Sequence, residues 1–184
     1  GALADTNFGD STEIRIKPSS SLGSHRKAYF KLDLSGLARP LANVSLRLTP
    51  NGTTDNPLGQ IHTLNLYVLK STALGQDWPE GTGITTAPLL VPPGTGITWM
   101  NAPANITTSS DVLTSDAILI ARTSGPRQYN PGTVIADFRN CNSLTPDALV
   151  NVINSHRPGP ITFIVTASNA FLPNVEQTTG WQYA

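Results

Sequence analysis

Charge is scarce in this 184-residue chain. Only 13% of residues are Asp, Glu, Lys or Arg, and twelve acids cancel twelve bases. A formal net charge of zero leaves no global field to draw the chain to nucleic acid or to a membrane surface. Cysteine is nearly absent. Cys141 stands alone, so no internal disulfide can form. No apolar run is long enough to span a bilayer, and no stretch reads as a signal peptide. Internal repeats and heptads are missing. So are Gly-x-Ser-x-Gly, His-Glu-x-x-His and Cys-x-x-Cys, and His25, His62 and His156 fall on separate elements. These absences favour a non-catalytic role. Cys141 reads as a small core residue rather than a nucleophile.

What is abundant is turn chemistry. Gly and Pro number 15 each, and Thr, Ser and Asn are frequent between short apolar segments. That composition favours an all-β domain. Alternating or apolar stretches predict strands near residues 12–17, 26–34, 44–48, 64–69, 117–121, 133–138 and 161–165, with 97–99 rejoining the sheet. The unbroken apolar run 117–121 reads as a central strand buried on both sides. Residues 71–93 form a long irregular excursion with Trp78 as its anchor. A single helix is predicted over 146–154, with Thr145 as N-cap and Pro146 in its first turn. Many short strands separated by turns point to a single domain, a two-sheet antiparallel β-sandwich.

The cations are not evenly spread. Arg15, Lys17, Arg26, Lys27, Lys31, Arg39 and Arg47 lie between residues 13 and 47, opposed there only by Glu13 and Asp33. The stretch Arg26 to Leu34 alternates without a break. Ala28, Phe30, Leu32 and Leu34 point one way, and Lys27, Tyr29, Lys31 and Asp33 the other. If neighbouring strands align, Arg15, Lys17, Lys27, Tyr29, Lys31 and Arg47 share one exposed sheet surface. Like charges facing each other across strands repel, and a bound anion relieves that cost. An ordinary solvated face that guards a sheet edge with lysine is the alternative.

Ala4-Asp5-Thr6-Asn7-Phe8-Gly9, Arg26-Lys27-Ala28-Tyr29-Phe30-Lys31-Leu32-Asp33-Leu34-Ser35, Val44-Ser45-Leu46-Arg47-Leu48 and Ile97-Thr98-Trp99-Met100-Asn101-Ala102-Pro103 occur in one order. Together they resemble the DNRLRE-type domain, a group of extracellular jelly-roll modules that includes alginate-binding carbohydrate-binding modules. The resemblance covers the first half of the chain. It implies a jelly-roll sandwich, extracellular or cell-surface location, and acidic polysaccharide bound on the basic sheet face, with Tyr29 as a platform for a sugar ring. Family members place a Trp-x-Glu element just before the Ile-Thr-Trp motif. Here residues 81–96 separate Trp78-Pro79-Glu80 from Ile97, which reads as an insertion. Relative to the family a first and a last strand are missing. This motivates a second class of function: a subunit of a fibre or surface layer, completed by strands from copies of itself or from adjoining domains.

Three further features carry chemistry. Asp5, Asn7 and Asp10 place hard oxygen ligands in one loop and are a candidate calcium site, against the simpler reading that Asp and Asn are good turn formers. Asn51, Asp55 and Asn56 are a weaker set. Asn43, Asn51 and Asn105 each begin an N-glycosylation triplet. Trp99 belongs to the packing motif, while Trp181 is left open between platform and core.

Overall fold

The fold was analysed in a computed structural model that describes residues 4, 7–9, 11, 14–17, 25–49, 61–81, 96–126, 136–138, 147–168 and 181–183, with backbone only at 61–62, 124–126, 136–137 and 181–183. Eight strands and one helix follow in order: β1 (Ile14–Ile16), β2 (Ala28–Asp33), β3 (Arg47–Leu48), β4 (Ile61–Leu69), β5 (Ala117–Pro126), β6 (Ala136–Asp137), α1 (Ala148–His156), β7 (Pro160–Ser168) and β8 (Trp181–Tyr183). Regular structure among the described residues is mostly strand, as the composition predicts.

The central sheet has four antiparallel strands in the order β2-β7-β4-β5. Two short antiparallel pairs, β1-β8 and β3-β6, stand beside it. One face of the central sheet is aliphatic. Leu64, Leu66, Ile161, Phe163 and Val165 are buried there, and Ala28 and Phe30 pack with them. Ile16 of β1, Leu48 of β3 and Phe138 belong to the same cluster, so both small pairs lean on this face. Helix α1 closes it with Leu149 and Ile153, four residues apart and so on one helical face.

The helix begins at Ala148, not at 146. Asp147 is the N-cap, in a left-handed conformation (φ 61°) and without a capping side-chain hydrogen bond. Thr145 and Pro146 lie outside the described residues. At its other end α1 is tied to the loop after β2. The Asn154 amide accepts from Leu41 N at 2.8 Å and donates to Leu41 O at 2.9 Å. Arg157 donates to Leu37 O through Nη2 at 2.6 Å and Nε at 3.1 Å.

Two strand expectations change. The run 117–121 belongs to β5, which ends the sheet order instead of lying at its centre, and Ile118 is 48% exposed. Its apolar character still reflects burial on both faces: Ile120 and Ala121 join the aliphatic cluster, and Ala117 joins a second cluster on the other face. Residues 97–99 do not rejoin the sheet; they run into a turn, with Ile97 N donating to Pro79 O at 3.1 Å. A strand that the sequence pattern did not predict lies at 181–183 and pairs with β1.

Candidate functional site

Alternation along β2 holds in the structure. Tyr29 and Lys31 stand opposite Ile164 and Thr162 of β7, on the sheet face away from the aliphatic cluster. That face is not open at this end. Residues 70–81 and 96–116 fold back over it, and a second apolar cluster of Leu69, Ala104, Val112, Ala117 and Ile164 receives the Tyr29 and Tyr67 rings.

Each polar head in the row is engaged by this cover. The Lys27 ammonium donates to Asn105 Oδ1 at 2.6 Å, to Ile106 O at 3.1 Å and to Asp111 O, and sits 5.0 Å from the centre of the Trp99 ring. Its three N–H groups meet three oxygens. Burial, opposed by the Asp111 carboxylate, lowers its pKa to about 8. The Tyr29 hydroxyl donates to Pro103 O at 3.1 Å, its ring meets Trp78 edge-on at 6.4 Å, and burial pushes its pKa up. Lys31 donates to Trp78 O at 2.8 Å and lies 5.4 Å from that ring. Trp78 in turn donates from Nε1 to the buried Thr162 hydroxyl at 3.0 Å, which makes it the anchor that the sequence predicts. Lys27, Tyr29 and Lys31 therefore hold the cover on the sheet. Tyr29 is no exposed sugar platform.

The neighbours assumed for the basic face also differ. The partner of β2 is β7. Arg47 belongs to the separate β3-β6 pair, in register with Asp137. The parity of a strand is local and readable, but pairing depends on long-range packing. What does come together is Lys17 and Arg26. They exchange both backbone hydrogen bonds, at 3.0 and 2.9 Å, and so face each other directly across an antiparallel bridge. Arg15, two residues from Lys17, falls on the same side of β1. Partial burial and then the facing Arg26 lower the Lys17 pKa; burial and then Arg15 lower that of Arg26. Among the described residues no carboxylate forms an ion pair with Lys17 or Arg26. Next to them His25 stacks on Trp99, with ring centres 6.5 Å apart and planes 9° from parallel. Burial, then Lys27 and Lys17, lower its pKa against the pull of Asp111.

Asn7 has a structural task. Fully buried, it donates from Nδ2 to Glu80 O and Ile97 O, both at 2.6 Å, and accepts from Gly9 N at 2.9 Å. With the Ile97–Pro79 bond, this closes the base of the segment that separates Glu80 from Ile97. Gly96 fits only because it lacks a Cβ, which would lie 2.6 Å from Asn7 Nδ2. The Asn7 oxygen thus accepts a hydrogen bond within a turn. Asp5 and Asp10 lie outside the described residues, as do Asp55 and Asn56. Among the described residues no group of three His, Cys, Asp or Glu side chains gathers in metal-binding range.

Of the glycosylation triplets, Asn43 is exposed. Asn105 is half-buried and its amide is committed: Oδ1 to Lys27 and Nδ2 to Trp99 O. Asn51, Cys141 and the Trp181 side chain lie outside the described residues. A shallow cleft of about 350 Å³ opens beside the cover, lined by Asp77, Trp78, Pro79, Ile97 and Asn101 among others. No described helix is long and apolar enough to cross a membrane.

Two cations escaped the sequence reading. Arg26 was counted in the charge but not assigned to the face, because alternation within β2 put it on the apolar side. Its signal was the Ser- and Gly-rich stretch 18–24, read from sequence as a turn, between Lys17 and Arg26. Arg122 had no such signal. No protein-family model matches this chain, and no curated protein does either. The likeness to DNRLRE-type modules therefore rests on the quoted motifs alone.

Proposed function

We propose that the chain is a non-catalytic, extracellular module that attaches to acidic polysaccharide through Lys17, Arg26 and Arg15. The observation that carries this reading is the direct juxtaposition of Lys17 and Arg26 without a carboxylate partner among the described residues. Facing like charges cost stability, which a bound polyanion offsets. Uronate carboxylates fit the guanidinium fork and the ammonium, and the His25–Trp99 stack beside them offers a wall of aromatic character. Lys27, Tyr29 and Lys31 take the structural role, and Arg47 lies on a different strand pair. A jelly-roll sandwich accommodates this reading, with β1-β8 and β3-β6 as parts of a second sheet over the shared aliphatic cluster.

Co-sedimentation with insoluble acidic and neutral polysaccharides tests it. Retention on calcium alginate or pectate gels and release from cellulose is the expected pattern. Equal retention on all of them contradicts it.

A second reading, assembly of copies by strand addition, is favoured by β5. Among the described residues this strand pairs only with β4 and exposes Ile118. Assembly that depends on concentration and is blocked by Ile118→Lys supports it, while a monomer at all concentrations opposes it.

A further inference from the structure

Toward β5 the sheet face that carries Tyr29 and Lys31 turns polar. Thr63 and Asn65 of β4 and Thr166 of β7 are buried there, at 6, 5 and 1% exposure. Asn65 stands in register with Arg122 of β5 on one side and Thr166 of β7 on the other. Arg122 Nε donates to Asn65 Oδ1 at 2.8 Å. The Asn65 amide nitrogen reaches the Thr166 hydroxyl at 3.5 Å and the Ser168 hydroxyl at 3.3 Å, both long contacts. Three strands thus contribute to the angle of one guanidinium. Burying a carboxamide costs free energy unless its hydrogen bonds are made, and the outermost of these is the bond to Arg122.

Arg122 itself is exposed, and among the described residues no carboxylate forms an ion pair with it. With Nε held from below, the end-on edge formed by its two Nη groups remains. That edge is a planar pair of donors matched to a carboxylate. A side chain with its rotamer fixed in advance loses less entropy on binding than a free one. Tyr67, on the same face, feels Arg122 and Asp111; burial, then Asp111, raise its pKa while Arg122 lowers it. Asp111 also acts on His25 beside Lys17. Asp111 thus bears on a group beside each cationic place.

We propose that Arg122, positioned by Asn65, reads the carboxylate of a single uronate-type unit at a second place on the molecule. This rests on the acidic-polysaccharide reading above and adds a specificity-determining residue to it.

The test is a titration with oligogalacturonate and oligoguluronate, with a neutral gluco-oligosaccharide as control, followed by the arginine side-chain ¹H–¹⁵N resonances. The Arg122 Nε–H resonance is expected to move saturably with the uronates and to stay still with the neutral sugar. Arg122→Lys, which keeps the charge but loses the planar fork, should weaken uronate affinity at least fivefold, with the backbone amide spectrum unchanged. Full affinity in Arg122→Lys, or shifts at Arg26 with Arg122 silent, overturns this proposal and leaves the Lys17–Arg26 reading standing. No saturable shift at either arginine with any uronate overturns both.

Discussion

Lys27 Nζ and Asn105 Oδ1 stand 2.6 Å apart across 78 residues of sequence. This contact, with those to Ile106 O and Asp111 O, fastens the 97–116 segment to the start of β2. Lys27→Met keeps the apolar stem and removes the donors. Hydrogen bonds to a charged group contribute about 1.5–3 kcal/mol, so a loss of about 2 kcal/mol in urea unfolding is expected. An unchanged midpoint would show that the cover is held by its apolar contacts alone.

Two buried groups give stability opposite slopes at alkaline pH. The folded-state pKa of Lys27 is lowered to about 8 from 10.5, so between those values the unfolded chain holds more protons. Stability from this group therefore rises across that window. For Tyr29 the folded-state pKa is raised above 10, so its contribution is complete below pH 10 and is lost as pH rises beyond it. Unfolding free energies of wild type, Lys27→Met and Tyr29→Phe from pH 7 to 11 separate the two. Lys27→Met should lose the rise, and Tyr29→Phe should lose the fall. At pH 7, Tyr29→Phe should also cost about 1 kcal/mol for the missing bond to Pro103 O. Parallel curves for all three proteins would refute both assignments.

The clip made by Asn7 is sensitive to charge and to volume. Asn7→Asp replaces the amide that donates to Glu80 O and Ile97 O with an acceptor-only carboxylate in a buried site. A loss of about 3 kcal/mol is expected, from an unmade pair of hydrogen bonds and a buried charge. Gly96→Ala should destabilise as well, since its Cβ meets Asn7 Nδ2 and Cγ at 2.6 and 2.9 Å. Thermal unfolding of both variants, with and without calcium, reads this out. Rescue of either variant by calcium would return Asn7 to the role of a metal ligand.

Strand existence was legible in the sequence because it is written locally. The alternation of Ala28, Tyr29, Phe30 and Lys31 survives intact in β2, and the Leu149–Ile153 spacing survives in α1. What faces the outer side of β2 was not legible. Lys27, Tyr29 and Lys31 looked free of partners because nothing nearby in sequence meets them; Asn105, Pro103 and Trp78 do so from 47 to 78 residues away. The cation pair was half-visible. Lys17 was assigned to the site from its parity, whereas Arg26 needed the bridge between two strand ends. Arg122 depends on a buried carboxamide from another strand, and no spacing rule reports such a partner.

Lys17 and Arg26 carry a trade between stability and binding. Directly opposed like charges cost a few tenths of a kcal/mol up to about 1 kcal/mol. Lys17→Gln or Arg26→Gln should therefore leave the free protein equally stable or more stable by up to about 0.5 kcal/mol. The same substitutions should weaken binding to acidic polysaccharide. Destabilisation of the free protein by either one would mean that these cations satisfy a partner within the chain.

The most direct measurement is the affinity for soluble polyguluronate and polygalacturonate between 20 and 500 mM NaCl, for wild type and for the Lys17→Ala, Arg26→Ala double variant, roughly the span over which the Debye length falls from about 20 Å to about 4 Å. Wild-type affinity should fall steeply with salt, and the double variant should lose most of its affinity at the low-salt end. Binding that ignores salt, or that the double variant retains in full, would contradict polyanion attachment at this pair.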